Sequence, residues 1–200
     1  MVTLFVAGSI LAGAQGRDSP PPTIDAFPQA LGVFTGPVAG WGFSYHRWLG
    51  SGVGLQLGGG VMYSPDADSG LFWGKYLDYS AGIEVQQSIF GDDLVSWPWL
   101  ATRIYLWGGA SHRGLIEEIE LLPGIWDGDG NVVQEAEYGP GPYTPTVTLG
   151  AGFGVEVVLF RHFSFPVEFG YAATYDVSAG SILAGLSVDL VPQAGARYRY

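Results

Sequence analysis

The chain has 200 residues, a formal net charge of −11 and no cysteine, and only 14% of its residues are charged whereas 48% are hydrophobic. Soluble domains carry roughly 25% charged residues. An acidic chain repels phosphate backbones, which excludes nucleic acid as a partner. Without cysteine, disulfides and thiolate chemistry are excluded. No apolar run reaches the roughly 18 residues of a spanning helix, so a membrane protein of this composition has to cross as a closed barrel.

The N-terminus has the pattern of a secretion signal. Residues 1–14 contain an apolar stretch at 4–11, followed by an Ala-Gly-Ala cleavage site at 12–14. Because no Lys or Arg precedes the apolar stretch, a first strand or a disordered tail remains the alternative. Residues 15–29 include three consecutive prolines, which cannot join a sheet ladder, and are predicted to be a linker. The barrel domain is then expected to occupy 30–200.

Most of the remaining chain alternates with a period of two. In the clearest case, 76–90, an apolar face carrying Ile83 and Val85 opposes a polar face carrying Glu84 and Gln86. Side chains alternate across a strand, so this segment is predicted to be a strand with one lipid-compatible face. Several such segments reach the roughly 9–11 residues that a membrane-crossing strand needs. The other candidate strands are 30–35, 39–48, 52–63, 96–108, 146–160, 164–176 and 188–200.

The connections between these eight candidate strands alternate in length. Short turns on one side and long loops on the other are typical of up-and-down barrels with periplasmic turns and extracellular loops. The first hairpin is an exception, since 36–38 is short although it belongs on the long-loop side. The short turns are 49–51, 91–94 and 161–163, and the long connections are 64–74, 109–145 and 177–187.

Alternation alone does not tell which face points inward, because a soluble lipocalin-like barrel alternates too, with its apolar face around a ligand. Two features favour apolar side chains outside, with Leu77, Tyr79, Ile83 and Val85 facing lipid. The polar face is rich in Gly, Ser, Thr and carboxylates, which suits a small wet lumen. Aromatic residues also gather near strand ends, as in interfacial girdles. They are Trp41, Trp48, Tyr63, Trp73, Tyr76, Trp97, Trp99, Trp107, Tyr175, Tyr198 and Tyr200. The prediction is an all-β, antiparallel, up-and-down transmembrane β-barrel of about eight strands.

The C-terminal segment 193–200 resembles the β-signal of outer-membrane proteins, with Gln193, Gly195, Tyr198 and Tyr200 in its characteristic places. Segment 42–49 resembles a strand-to-turn passage of small outer-membrane barrels. The resemblance implies a small, porin-like, eight-stranded barrel in the outer membrane of a Gram-negative cell envelope. It also implies outer-membrane lipid as surroundings and the barrel-assembly machinery as a partner that pairs with the last strand. Pro192 departs from the pattern because proline removes a ladder donor.

The inward face is predicted to carry a network of charges. Buried charges have to be paired or hydrated, and the arginines are expected to reach Glu84, Glu156 or Glu168. A structural network that fills a narrow lumen is favoured over a proton or ion pathway. The predicted lumen charges are Asp78, Glu84, Arg103, Glu156, Glu168, Asp189, Arg197 and Arg199, with His46 as a further candidate.

The connection 109–145 is predicted to be one long acidic extracellular loop, with one or two helical turns at 115–122, that presents itself to an extracellular protein or ligand. Asp127, Asp129 and Asn131 form a weak candidate for a calcium site. Its sixth and twelfth places hold Val and Tyr where an EF-hand has Gly and Glu. The favoured alternative is a hairpin tip, because two Asp-Gly pairs lie between apolar residues.

Catalysis is not expected. Of the three histidines, His46 and His162 fall near predicted periplasmic turns, and His112 follows Ser111 on the extracellular side. Neighbours on a strand point to opposite faces, so these two do not form a nucleophile–base pair. The sequence therefore predicts a non-enzymatic surface, structural or interaction protein with a plugged lumen and no cofactor. The alternatives are a narrow channel or hydrophobic-solute port, and a lipid-modifying outer-membrane enzyme.

Overall fold

A computed structural model describes residues 26–64, 74–93, 99–126, 129 and 132–200. The predicted signal peptide at 1–14 and most of the predicted linker lie outside the described residues. In the described chain, no helix is long and apolar enough to cross a membrane. The strands are β1 (Gln29–Gly36), β2 (Gly40–Leu49), β3 (Val53–Tyr63), β4 (Lys75–Asp93), β5 (Leu100–Leu122), β6 (Ile125–Trp126), β7 (Val132–Gln134), β8 (Glu137–Pro140), β9 (Thr144–Leu159), β10 (Phe163–Asp176) and β11 (Leu186–Arg199). A short helix, α1 (Ile182–Gly185), precedes β11.

Eight of the described strands close into one antiparallel ring. Its order is β1-β2-β3-β4-β5-β9-β10-β11, and β11 pairs again with β1. Each strand pairs with the next long strand along the chain, which is the up-and-down topology that the sequence predicts. Strand β4 lies four places from β11 in this ring, so the two face each other across the lumen.

The alternation places polar side chains inside and apolar side chains outside. On β4, Glu84 and Gln86 are buried, whereas Ile83 and Val85 are 46% and 54% exposed. Leu77 and Tyr79, predicted to share that outer face, are half-buried. The orientation is the reverse of a lipocalin-like barrel. Further exposed apolar side chains on the ring include Leu31, Val33, Phe43, Leu57, Val61, Leu106, Leu149, Phe153, Phe169, Val188 and Leu190.

Strand β5 is much longer than predicted, with 23 residues. The prediction of a loop beginning at 109 and of helical turns at 115–122 is wrong. The outer parts of β4 and β9 flank this segment and pair with it as far as Glu117 and Leu115. Beyond them, β8 pairs with β5 up to Leu122. Neighbours on both sides as far as 115–117, and β8 on one side beyond them, satisfy backbone hydrogen bonds of an extended chain, so the strand continues out of the barrel.

The tip of this extension is a two-stranded ribbon, in which Ile125 pairs with Gln134 and Trp126 with Val132. The predicted hairpin between these apolar segments is therefore confirmed. Of the weak calcium candidates, Asp127 and Asn131 lie outside the described residues. Among the residues that are described, no cluster of three His, Cys, Asp or Glu side chains could hold a metal ion.

Two of the predicted girdle aromatics point inward instead. Trp48 and Trp107 are only 6% and 3% exposed, in one cluster with Tyr105. Inward glycines leave room for the rings, since a Cβ at Gly154 would lie 2.5 Å from Tyr105 Cζ. Trp73 and Trp97 lie outside the described residues, and Trp41, Tyr76 and Tyr175 are half-buried. The exposed members of the predicted girdle are Tyr63, Trp99, Tyr198 and Tyr200.

Candidate functional site

The turn between β1 and β2, residues 37–39, folds into the lumen, and we call it the plug turn. Val38 and Ala39 are both 0% exposed. The turn fits because the strands opposite it carry inward glycines. A Cβ at Gly82 would lie 2.5 Å from Ala39 O, and one at Gly150 would lie 2.6 Å from Val38 Cγ2. The short first hairpin, an exception in the sequence, therefore ends in a turn that lies inside the ring.

Gln193 on β11 fastens the plug turn to the acids of the lumen. Its Oε1 accepts hydrogen bonds from the backbone N–H groups of Val38 at 2.9 Å and Ala39 at 3.0 Å. Its Nε2 donates to Glu84 Oε1 at 2.7 Å and to Glu168 Oε2 at 3.0 Å. A side-chain amide has two acceptor sites and two donors, and all four are used. The contact to Glu84 spans the barrel from β11 to β4.

Polar side chains from several strands converge on Glu168 below the plug turn. Its Oε1 accepts hydrogen bonds from Tyr105 Oη at 2.7 Å and Gln86 Nε2 at 3.1 Å. Gln86 also donates to Gln56 Oε1 and forms a hydrogen bond with His46 Nε2. Gln56 Oε1 in turn accepts from an Nη of Arg197. Except for the bond between Gln86 and Gln56, these bonds join strands that are not neighbours in the ring, so the side chains meet in the interior.

A second cluster surrounds Glu156. Trp48 Nε1 donates to one of its oxygens at 3.3 Å, and the Ser164 hydroxyl donates to the other. The guanidinium of Arg103 lies 4.0 Å from the centre of the Trp48 ring, at the distance of a cation–π contact. Arg199 Nε donates to the backbone oxygen of Phe27 at 3.0 Å. The cluster joins β2, β5, β9 and β10 and fills the lumen toward the turn that follows β9.

Most of the predicted lumen charges lie inside the ring, but two lie apart from this network. Asp189 is exposed, and its assignment to the buried lumen is wrong: it has inward parity, but it lies on a part of β11 that extends past its last pair with β1. Asp78 is buried nearer the mouth, where Lys75 and Arg113 pair with it. The prediction missed Arg113 because it fell in the supposed loop. The buried members are Glu84, Arg103, Glu156, Glu168, Arg197 and Arg199.

Above the plug turn lies an outward-facing cavity of about 740 Å³. Pro37 and Gly40 form the floor of the cavity. The hydroxyl groups of Ser80 and Ser111 also line it. Ser111 donates to the Pro37 carbonyl, and Ser80 bonds both the N–H and the carbonyl of Trp41. Gln193 also lines the cavity, so it lies between the cavity and the carboxyl groups that it binds.

The C-terminal motif closes the ring. Tyr200 N donates to Gln29 O at 2.9 Å, and Tyr198 stacks on the His162 ring at 5.3 Å. Gly195 faces Phe34, whose ring would collide with a Cβ at that position. Gln193, which the sequence assigns to the assembly signal, is 2% exposed in the lumen. Gln193 falls on the same inward-facing positions of its strand as Arg197 and Arg199 in the sequence. That alternation could have shown that Gln193 also belongs to the lumen.

The adjacent Ser111 and His112 lie on opposite faces of β5. Ser111 donates to the plug turn, whereas the His112 ring stacks on Tyr79 at 5.6 Å. The strand geometry therefore separates the hydroxyl from the imidazole, as expected from the alternation. His46 is buried in the polar network, and His162 lies against the final strand.

No protein-family model matches the sequence, and no curated protein matches it significantly. Solved structures are similar to it at low identity. The N-terminal β-barrel domain of Pseudomonas aeruginosa OprF is 13% identical with a TM-score of 0.45, covering 86% of this chain and 96% of that one. Acinetobacter baumannii CarO2 is 14% identical with a TM-score of 0.35, covering 87% and 99%. Acinetobacter baumannii CarO is 14% identical with a TM-score of 0.34, covering 87% and 98%.

Proposed function

We propose that the chain is an integral β-barrel of the bacterial outer membrane, with a structural or surface role and a lumen closed to solutes. The observation that carries this proposal is the Gln193 amide, which holds the plug turn across the lumen. An eight-stranded ring has an interior only wide enough for side chains to fill it. The exposed apolar belt on the ring supports insertion into lipid, and the C-terminal motif supports assembly by the barrel-assembly machinery.

The polar side chains of the lumen are arranged to fill its interior. Glu84, Glu156 and Glu168 each accept hydrogen bonds from buried neutral donors. A buried carboxylate that loses its donor pays its full desolvation cost, whereas a satisfied one is stable in place. Hydrogen bonds between side chains on different strands hold these groups in the middle of the ring, where a passing ion would have to displace them. This arrangement favours a plug over an ion pathway.

The surface role belongs to the extension beyond the barrel. The outer end of β5, with β8 and the β6–β7 ribbon, carries both exposed apolar side chains and carboxylates. Acidic residues beside exposed aromatic side chains such as Trp126 and Tyr138 suit recognition of an extracellular protein or ligand. The acids of this extension are Glu117, Glu118, Glu120, Glu135 and Glu137.

The test is efflux of a small uncharged sugar from liposomes that contain the purified barrel. We expect the wild-type protein to hold the solute, and the Gln193→Ala variant to leak because the plug turn loses both its acceptor and its link to Glu84. Gln87→Ala is the matched control, since Gln87 is exposed on the outside of β4. Rapid efflux through the wild-type protein would contradict the closed lumen and favour the channel.

A further inference from the structure

Among the described residues, the barrel wall is incomplete beside the plug turn. Strand β1 pairs with β11 only up to Thr35 and Ala194, so 186–193 of β11 has no ladder partner on that side in the described chain. Strand β2 pairs with β3 only up to Phe43 and Gly59. Above the short β1–β2 hairpin, β11 and β3 therefore flank an opening. They are three strand spacings apart, about 14 Å, and the Trp41 ring, beside Gly60, occupies part of that width.

Pro192 lies at the edge of this opening, on the side of β11 that lacks a partner strand. Tyr200 N donates to β1, whereas Arg199 N donates to His162 O at the start of β10. Backbone groups alternate sides along a strand, so even-numbered positions of β11 direct their N–H toward β1. Pro192 is the first such position beyond the last pair at Ala194. A proline there removes a donor that would have no ladder partner, which explains its departure from the C-terminal pattern.

The outward-facing cavity extends into the opening. Its lining includes both edges, with Pro192 and Ala194 on β11 and Met62 on β3, as well as the Trp41 ring at the hairpin end. Val167, which points outward from the neighbouring strand β10, lines the cavity too. The cavity therefore reaches from the hydroxyl-bearing inner wall to the apolar outer surface of the barrel, where Leu190 is 65% exposed.

We propose that this cavity binds an uncharged single-chain amphiphile, whose hydrocarbon chain enters through the opening between β11 and β3. The chain would contact Val167, Pro192 and Ala194, and the polar head would face the hydroxyls of Thr146, Thr148 and Thr174. A cavity of this size, mostly apolar with a few polar groups, has the character of a small-molecule site. The proposal requires the membrane insertion of the proposed function but not its closed lumen.

The charges at the mouth favour an uncharged head. Arg113 and Lys75 both bind the Asp78 carboxylate, and Arg113 does so through two nitrogens, at 2.8 and 2.6 Å. Lys75 also pairs in register with Glu117. Both cations are therefore already engaged with a carboxylate of this chain, and Asp189 adds a further negative charge on the open part of β11, so an anionic head is disfavoured. Hydroxyl groups on the opposite wall offer hydrogen bonds that a hydroxyl-bearing head can exchange.

The experiment uses a monoacylglycerol with a photoactivatable group in its chain, added to the purified barrel in phosphatidylcholine nanodiscs. Mass spectrometry maps the cross-links. We expect them to concentrate on the peptides that carry Val167, Ala194 and Met62, and to disappear with excess unlabelled monoacylglycerol. Ala194→Trp should fill the opening and weaken this labelling about tenfold, the effect of losing ~1.4 kcal/mol of binding.

Ala196→Trp is the matched control. Ala196 also faces outward on β11, but it pairs with Val33 in the complete part of the wall, so its labelling should equal that of the wild type. Insertion of each variant is checked by its heat-dependent mobility shift. Even, uncompeted labelling around the ring, or equal effects of both tryptophans, would overturn the site while leaving the closed lumen intact. Equal competition by an alkyl sulfate would overturn the uncharged head.

Discussion

Glu168 shows how a single carboxylate is accommodated in a narrow lumen. Three donors from three strands reach it: Tyr105, Gln86 and Gln193. A hydrogen bond contributes about 0.5–1.5 kcal/mol, so a buried carboxyl group with several donors is stable where an isolated one is not. At the residue scale, the lumen therefore holds polar groups that bind one another across the ring, and its outer counterpart is a belt of apolar side chains.

Charge on the outer belt should be costly. Ile83→Arg should lower the free energy of unfolding by about 2–4 kcal/mol, because it puts a cation against hydrocarbon near the middle of the membrane. Urea titration of the barrel folded in lipid vesicles measures the effect. Ile119→Arg is the control, since Ile119 is 41% exposed on the part of β5 that pairs with β8 outside the ring. Equal losses at the two positions would contradict the assigned membrane-facing surface.

At the scale of a single element, the main feature of the lumen is the plug turn. It crosses the lumen because the first hairpin is short and because three strands opposite it present glycine instead of a side chain. Gly58 and Gly82 both face the backbone of Ala39, and Gly150 faces the side chain of Val38. Glycine permits such close approach of one backbone to another. The turn and the three glycines that face it therefore depend on each other, and a side chain added at one of these glycines should move the turn.

Gly82→Ala tests that dependence. The new Cβ would lie 2.5 Å from backbone atoms of Val38 and Ala39, so the turn has to shift. We expect a loss of about 1–3 kcal/mol in the free energy of unfolding, as for other overpacked interiors, together with sugar efflux from liposomes. Gly108→Ala is the control, because the atom nearest to its added Cβ is 3.8 Å away. A Gly82→Ala barrel as stable and as tight as the control would show that the turn does not occupy the lumen.

The sequence predicted the strands well where alternation and turns agreed, as on β4 and β10, because period-two patterning directly reports which face is buried. It could not predict the length of β5. The segment 109–122 has the composition of a loop, and it is extended because β4 and β9 pair with it in the folded barrel. The sequence also placed Trp48 and Trp107 in a girdle, because strand-end position does not distinguish an inward ring from an outward one. Gln193 was assigned to assembly alone, since parity gives a face but not a partner across the lumen.

At the scale of the whole molecule, the ring closes where the first and last strands meet. Six register pairs join β1 to β11, from Ala30 with Arg199 to Thr35 with Ala194. Tyr200 adds a final hydrogen bond to Gln29. Closure abolishes free sheet edges along this seam. In the described chain, the part of β11 before Ala194 has no pair with β1. One end of β11 therefore closes the ring, and the other end borders the proposed opening.

Deleting Tyr200 should impair assembly more than stability. The deletion removes one backbone hydrogen bond and an aromatic ring that is 50% exposed, so the free energy of unfolding in detergent should fall by only about 1 kcal/mol. In cells the truncated chain should accumulate as periplasmic aggregate or be degraded, because the terminal aromatic is the proposed contact for the assembly machinery. Outer-membrane fractionation measures the outcome. Normal outer-membrane levels of the truncated protein would contradict the proposed role.

Single-channel recording of the purified wild-type barrel in planar bilayers is the most direct test of the closed lumen. The proposed closure rests on the plug turn, the Gln193 amide and the carboxyl groups bound to it, which occupy the lumen. We predict insertion without steps of conductance at moderate voltages, and step-like openings only after Gln193→Ala frees the turn. A steady, ion-selective conductance of the unmodified protein would contradict the account and show that the polar lining is a channel.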